Sequence, residues 1–422
     1  MAIMYRDGAP DAEWDEFLFN VRSKHGGAPG EHRNTGPAGG RGYGFLMLNA
    51  LSDAYERGWQ PLDVVHVSER QSDRRDGPYA IVAVLFHALV GQARDRAPDD
   101  WVEQLDALAE REPGTGETAE RLYQEDPDGG GLEAHLLMHG VDTDELAMVW
   151  RLMPPMSPLC ERPSAWPKSR KRQARSSAAT PGSSAEEAKA PDAKILGRIR
   201  GLLAKAESTD FPEEAETLTA KAQELITRYA IDSALLHRFD TGYDYSIRGK
   251  RVHLDNPYLK EKVQLLTEIG QVNSVRTVWS DKLAIATIVG APADMEQVEL
   301  LYTSLLIQAT RAMQSTESRH TPQSTAAFRR AFLLGYAVRI GQRMREARET
   351  ATAETAADAG VSMGELVPVL AARTAAVDLE FSRLFPQTKS SRSRSVDAAG
   401  WHAGSAAADR ARLGVGGPGI ER

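Results

Sequence analysis

The residues best suited to chemistry in this chain are a set of cations. Lys194, Arg198 and Lys205 recur at spacings of four and seven, which on a helix places them within about 40° of one another. Upstream, Arg170, Lys171 and Arg172 sit in a run from Lys168 to Arg175 that holds five basic residues and no acid. Cations gathered on one face neutralise successive phosphates, so this pattern points to nucleic acid as a partner. The plainer reading is a solvated face, some of whose cations pair with Glu213 or Glu214 in the following segment.

Other constellations carry less. His135 and His139 stand four apart and could share a metal on one helical face, but Leu136 occupies the position where a metalloprotease motif needs Glu. Cys160 is the single cysteine, which rules out an internal disulfide and a Cys-based zinc site. Gly414, Gly416 and Gly419 satisfy G-x-G-x-x-G literally, without the strand before and helix after that a dinucleotide needs. No nucleophile elbow, phosphate loop or zinc-deaminase signature occurs. The spacing therefore calls for no cofactor and no metal, and an enzyme would have to assemble its site from scattered residues such as His253, Arg339 and His402.

The bulk numbers limit the choices further. A chain of 422 residues suggests two or three domains. Its 41% hydrophobic and 26% charged residues are those of a globular protein. The net charge of −8 opposes a general role in coating nucleic acid, so any such contact must be local. The first residues lack the basic end and apolar run of a signal peptide, and nothing approaches the ~20 apolar residues of a membrane span. A cytoplasmic protein without a membrane partner is the expectation.

These candidate residues need elements to hold them. Residues 1–44 are glycine-rich and read as a flexible segment. From Phe45, FLMLNALSDAYERGW places Leu48, Leu51, Ala54 and Tyr55 at helical spacing, and Gly58 ends the run. IVAVLFHALVGQ, WVEQLDALAE and LEAHLLMHG read as further helices of an all-helical domain over 45–152. Proline, serine and basic residues then make 153–191 a linker. In DAKILGRIRGLLAKAES, Ile195, Ile199, Leu202, Leu203 and Ala206 fall on one face, with Asp192 as the expected cap. Pro212 suits a first helical position. Ala215, Leu218, Ala222, Leu225 and Tyr229 continue at helical spacing, so 192–238 reads as an αα-hairpin.

The hairpin carries a resemblance. Leu202, Leu203, Ala206, Ser208, Glu214, Ala215, Ala222, Leu225 and Tyr229 match the pattern of the domain of unknown function 2786, a family without an assigned reaction. Phe211 departs from it, lengthening a turn that is tighter in the family. The region that follows also resembles the segment that commonly succeeds this domain, and WQPLDVVHV resembles the front half of its actinobacterial members. The resemblance implies the hairpin fold and leaves the chemistry open.

Residues 239–388 read as an α+β domain. SVRTVW and LAIATIV flank Ser280-Asp281-Lys282 as a hairpin, VPVLAA suggests a third strand, and long helices follow Asp294 and Thr321-Pro322. Gly335 and Gly341, like Gly400 and Gly404 in GWHAGSAAADRARL, mark close helix approach. Residues 389–422 form a Ser/Arg-rich tail with a short helix. The fold class is mainly α with an α+β part: a helical N-terminal domain, an αα-hairpin, then a small antiparallel sheet covered by long helices. A non-enzymatic binding or adaptor protein, contacting nucleic acid or another protein, is the expected function, with an enzyme of the α+β domain as the alternative.

Overall fold

The computed structural model describes residues 3–5, 43–71, 76–168, 184–209, 212–236, 246–317, 326–358, 360–390 and 397–410. They divide into two units, Arg6–Ala179 in one and Met1–Tyr5 with Thr180–Arg422 in the other.

The first unit is helical. Its helices are α1 (Tyr43–Glu56), α2 (Pro61–Gln71), α3 (Gly77–Val90), α4 (Ala93–Arg96), α5 (Asp99–Arg111), α6 (Thr115–Glu125), α7 (Gly130–Met138) and α8 (Thr143–Leu152). The sequence IVAVLFHALV is apolar nearly all round, and such a helix must be central. Accordingly Ile81, Val82, Val84 and Phe86 of α3 are each at most 3% exposed. The amphipathic α1 lays Met47, Leu51 and Ala54 against this core. It stops before Gly58, whose φ of +97° favours a residue without a Cβ.

Residues 153–168, read from their prolines as the start of a linker, are packed. Arg57 donates from Nε to the Met153 carbonyl at 2.9 Å and from Nη2 to that of Trp150 at 2.7 Å. Trp59 Nε1 donates to the Pro154 carbonyl at 2.8 Å. Proline lacks an N–H yet keeps a carbonyl, so the segment is stapled through acceptors. A short 3-10 turn, Pro163–Ala165, then delivers Trp166 to the surface of α5, where its ring meets Trp101 edge-on at 5.0 Å.

The second unit carries the hairpin α9 (Ser184–Ser208) and α10 (Pro212–Leu236). The helix α9 begins before Asp192, which lies within it instead of capping it. Leu196, Ile199, Leu203 and Ala206 are buried on one face of α9, Ala222 and Ile226 on the facing side of α10. Strands β2 (Arg248–His253), β3 (Arg276–Ser280) and β4 (Ile285–Gly290) form an antiparallel sheet with β4 in the middle, buried at all of its residues. Two short strands extend it: β1 (Ile3–Tyr5) runs parallel to β3, and β5 (Thr388–Ser390) runs antiparallel to β1. The order is β2-β4-β3-β1-β5. Sequence reading had no strand at residues 3–5.

Helices α11 (Leu259–Val272), α12 (Pro292–Glu317), α13 (Ala326–Asp358), α14 (Met363–Leu384) and α15 (Ala398–Arg410) surround the sheet. One core joins Leu266, Trp279, Ile288, Val298 and Phe332 to Ile199 and Ile226 of the hairpin. VPVLAA corrects the expectation of a third strand, because it lies inside α14. Ser362 and Glu365 close a capping box at the start of that helix, which runs on through Pro368. Arg276 clamps α14 to the sheet through both oxygens of Asp378, at 2.5 and 2.9 Å. Along α13 and α15, Gly335 lies against the Trp401 carbonyl and Gly404 against the Phe332 carbonyl, closer than any Cβ permits. The glycines expected to mark close helix approach do so. No helix among the described residues is long and apolar enough to cross a membrane.

Candidate functional site

The apolar face of α9 sets the direction of its cations. With Leu196, Ile199 and Leu203 turned inward, Lys194 and Arg198 are exposed and form no ion pair among the described residues. Lys205 differs: its Nζ lies 2.8 Å from Glu214 Oε1. The hydrogen bond from Lys205, helped by that from Thr209, holds the Glu214 carboxyl below its ordinary range. The neighbouring Arg200 is paired with Glu296. Two of the three predicted cations on α9 are therefore available and the third is neutralised. Arg170, Lys171 and Arg172 lie outside the described residues, as do Gly414, Gly416 and Gly419.

The remaining candidates, His402 apart, have partners within the fold. The rings of His135 and His139 lie 4.4 Å apart, with Tyr79 5.3 Å from His139. His139 Nδ1 contacts the His135 carbonyl at 2.8 Å, which removes one ring nitrogen from any metal. No group of three or more His, Cys, Asp or Glu among the described residues is arranged to hold an ion. Cys160 accepts from Gln60 Nε2 at 3.3 Å. Arg339 is tied to Asp409 at 2.5 Å, His402 is exposed on α15, and His253 is half-buried on the edge strand β2.

The best-formed site lies in the helical unit. A cavity of about 270 Å³ opens between α1, α3, α5 and the 163–166 turn, walled by Tyr55, Val84, His87, Trp101, Leu105 and Trp166. That volume is close to the ~300 Å³ at which small-molecule sites begin. The aromatic walls brace one another edge to face, Tyr55 on His87 at 5.3 Å and on Trp101 at 4.9 Å. Such contacts fix ring orientation beyond what burial alone contributes.

Polar groups are few and placed. His87 Nε2 stands 2.8 Å from Ser52 Oγ, and Ser52 donates its one proton to the Leu48 carbonyl at 3.1 Å. When that proton goes to Leu48, Nε2–H is the donor to Ser52 and Nδ1 is left as an acceptor. No described group bonds to Nδ1. Burial pushes the imidazole down to about 4, so it is neutral at pH 7. Its ring is half-exposed by surface area because it faces the cavity. Glu56, the carboxylate at the rim, accepts from Ser164 N at 2.7 Å and Ser164 Oγ at 2.8 Å.

The Ser52–His87 pair resembles half of a nucleophilic triad, and the chemistry argues against that use. A base so weak takes up protons poorly near neutrality. No carboxylate among the described residues orients its second nitrogen, and the Leu48 carbonyl competes with the ring for the Ser52 proton. What the cavity offers is recognition: apolar rings and one fixed acceptor. Sequence spacing did not single out this set, since Ser52 and His87 are 35 residues apart. The available signal was His87 itself, a lone ionisable residue within IVAVLFHALV.

Residues 194–233 match the family described as a protein of unknown function (DUF2786). The match spans α9 from Lys194 and nearly all of α10, so the hairpin resembles that family both in pattern and in extent. No curated protein and no solved structure matches the chain. The class defined by fold and family is thus a mainly helical protein that carries a DUF2786-like hairpin against a small sheet.

Proposed function

We propose that this is a non-enzymatic binding protein whose helical unit takes up a small, largely apolar, planar molecule bearing an N–H or O–H donor. The observation that carries this reading is the unbonded Nδ1 of a neutral His87 on the wall of an aromatic cavity of about 270 Å³. Nδ1 is open to the cavity, so a ligand donor would replace solvent there at a net gain of about 0.5–1.5 kcal/mol. The test is ligand-observed NMR of the full chain with phenol, indole and toluene. Phenol and indole should bind and toluene should bind more weakly, while Ala88→Leu, which fills the cavity, should abolish all three. Equal binding by the Ala88→Leu protein, or none by the native one, would sink the proposal.

A second reading, contact with nucleic acid, is favoured by the exposure of Lys194 and Arg198 without acidic partners. Both present themselves on the solvent face of α9, and the linker cations Arg170, Lys171 and Arg172 would add to them. Lys205 adds little while Glu214 holds it. The enzyme alternative is less well supported. It called for a deep polar pocket beside the hairpin, and the cavity between α10 and α13 measures only about 20 Å³.

A further inference from the structure

That small cavity in the second unit has an unusual charge. Thr227 of α10, Asn273 and Ser274 after α11, Asp294 and Gln297 of α12, Arg348 of α13 and Arg373 of α14 line it. Arg373 and Asp294 are 5% and 3% exposed and pair at 2.5 Å between Nη2 and Oδ2. Burial raises the Asp294 carboxyl above its ordinary value, and Arg373 opposes this. Arg348 lines the same cavity and feels the charges of both partners. Its guanidinium is pushed down by burial, Asp294 opposes that shift, and the like charge of Arg373 adds to it.

Two guanidiniums and one carboxylate line the cavity, so its lining carries an excess of one positive charge. The hydrogen bonding is also incomplete. Arg348 reaches Ser274 Oγ only at 3.4 Å, Arg373 Nε has no partner, and Gln297, 1% exposed, leaves both amide atoms unbonded among the described residues. A buried surplus charge beside idle donors is costly unless a counter-charge enters. The volume of about 20 Å³ admits an occupant near the size of one water.

We infer that this cavity is a binding site for one small monovalent anion, either an inorganic ion of chloride size or the carboxylate head of an organic acid. Arg348 supplies the attraction and the exchangeable donors, while Arg373 offsets the charge of Asp294. The matched DUF2786-like segment forms one wall through Ile226, Thr227 and Ala230. The inference is independent of the aromatic cavity in the other unit.

The test is thermal unfolding of the full chain at constant ionic strength, with chloride or formate replacing methanesulfonate, which is too large for the cavity. The unfolding midpoint should rise saturably, by roughly 5–10 °C at ~100 times the dissociation constant. A rise with chloride identifies an inorganic ion, and a rise with formate alone identifies a carboxylate head. Arg348→Lys should keep a weakened response and Arg348→Met should lose it. Arg348 is only partly buried, so both proteins should fold, and ³⁵Cl line broadening gives a direct reading that does not depend on stability. Equal midpoints in all three salts, or an undiminished response in Arg348→Met, would overturn the inference.

Discussion

Ser52 Oγ and His87 Nε2 meet at 2.8 Å and hold the imidazole with its other nitrogen toward an apolar cavity. This contact joins two helices, and burial keeps the imidazole neutral inside a wall of rings.

The first consequence is a pH dependence of stability. His87 titrates near 6.5 when unfolded and near 4 in the fold. Between these values the unfolded chain binds the additional proton, so stability rises with pH. The contribution is complete above about pH 6.5 and is lost as pH falls toward 4, by at most about 3 kcal/mol. Denaturant midpoints measured across this window should fall on acidification, and His87→Gln should flatten the slope.

The packed segment after α8 should matter to the helical unit. Trp166 is 8% exposed and closes the cavity over Trp101. Trp166→Ala should destabilise this unit by about 3 kcal/mol. A solvated tether would give no change in the unfolding midpoint.

Two glycines on different helices should respond oppositely. A Cβ at Gly404 meets the Phe332 backbone, whereas one at Gly201 meets nothing within 4 Å. Gly404→Ala should cost about 1–3 kcal/mol by forcing α15 from α13. Gly201→Ala should stabilise α9 by about 0.5–1 kcal/mol. Calorimetry of the two variants checks both signs.

The nucleic-acid reading predicts salt-sensitive binding of labelled DNA or RNA to the full chain, read by fluorescence anisotropy. Lys194→Glu with Arg198→Glu should abolish it, and Lys205→Glu alone should change it little, because Glu214 already neutralises that cation. Binding that ignores salt, or that survives the double substitution, removes α9 as the contact.

The hairpin and the β3–β4 pair were legible because each buries one face, and burial writes a period into the residues. Ile199 and Leu203 on α9, and the β-branched run of β4, are such cases. VPVLAA misled because β-branched residues are common to strands and buried helices. Ser362 and Glu365, three apart just ahead of it, were the local sign of a helix start. The cavity was illegible for another reason. Its residues come from four helices and a turn, so Ser52, His87, Trp101 and Trp166 share no spacing. Their relation exists only after the helices pack.

The three residues of β1 have a bearing on how the chain is made. Ile3 pairs with Val278 and also with Ser390. At roughly 5–20 residues per second of synthesis, the first partner emerges some ~15–55 seconds after the strand itself. The whole helical unit is produced in that interval and can fold on local contacts. The sheet cannot be closed until Thr388–Ser390 has left the ribosome, which makes its completion a late, long-range step of maturation.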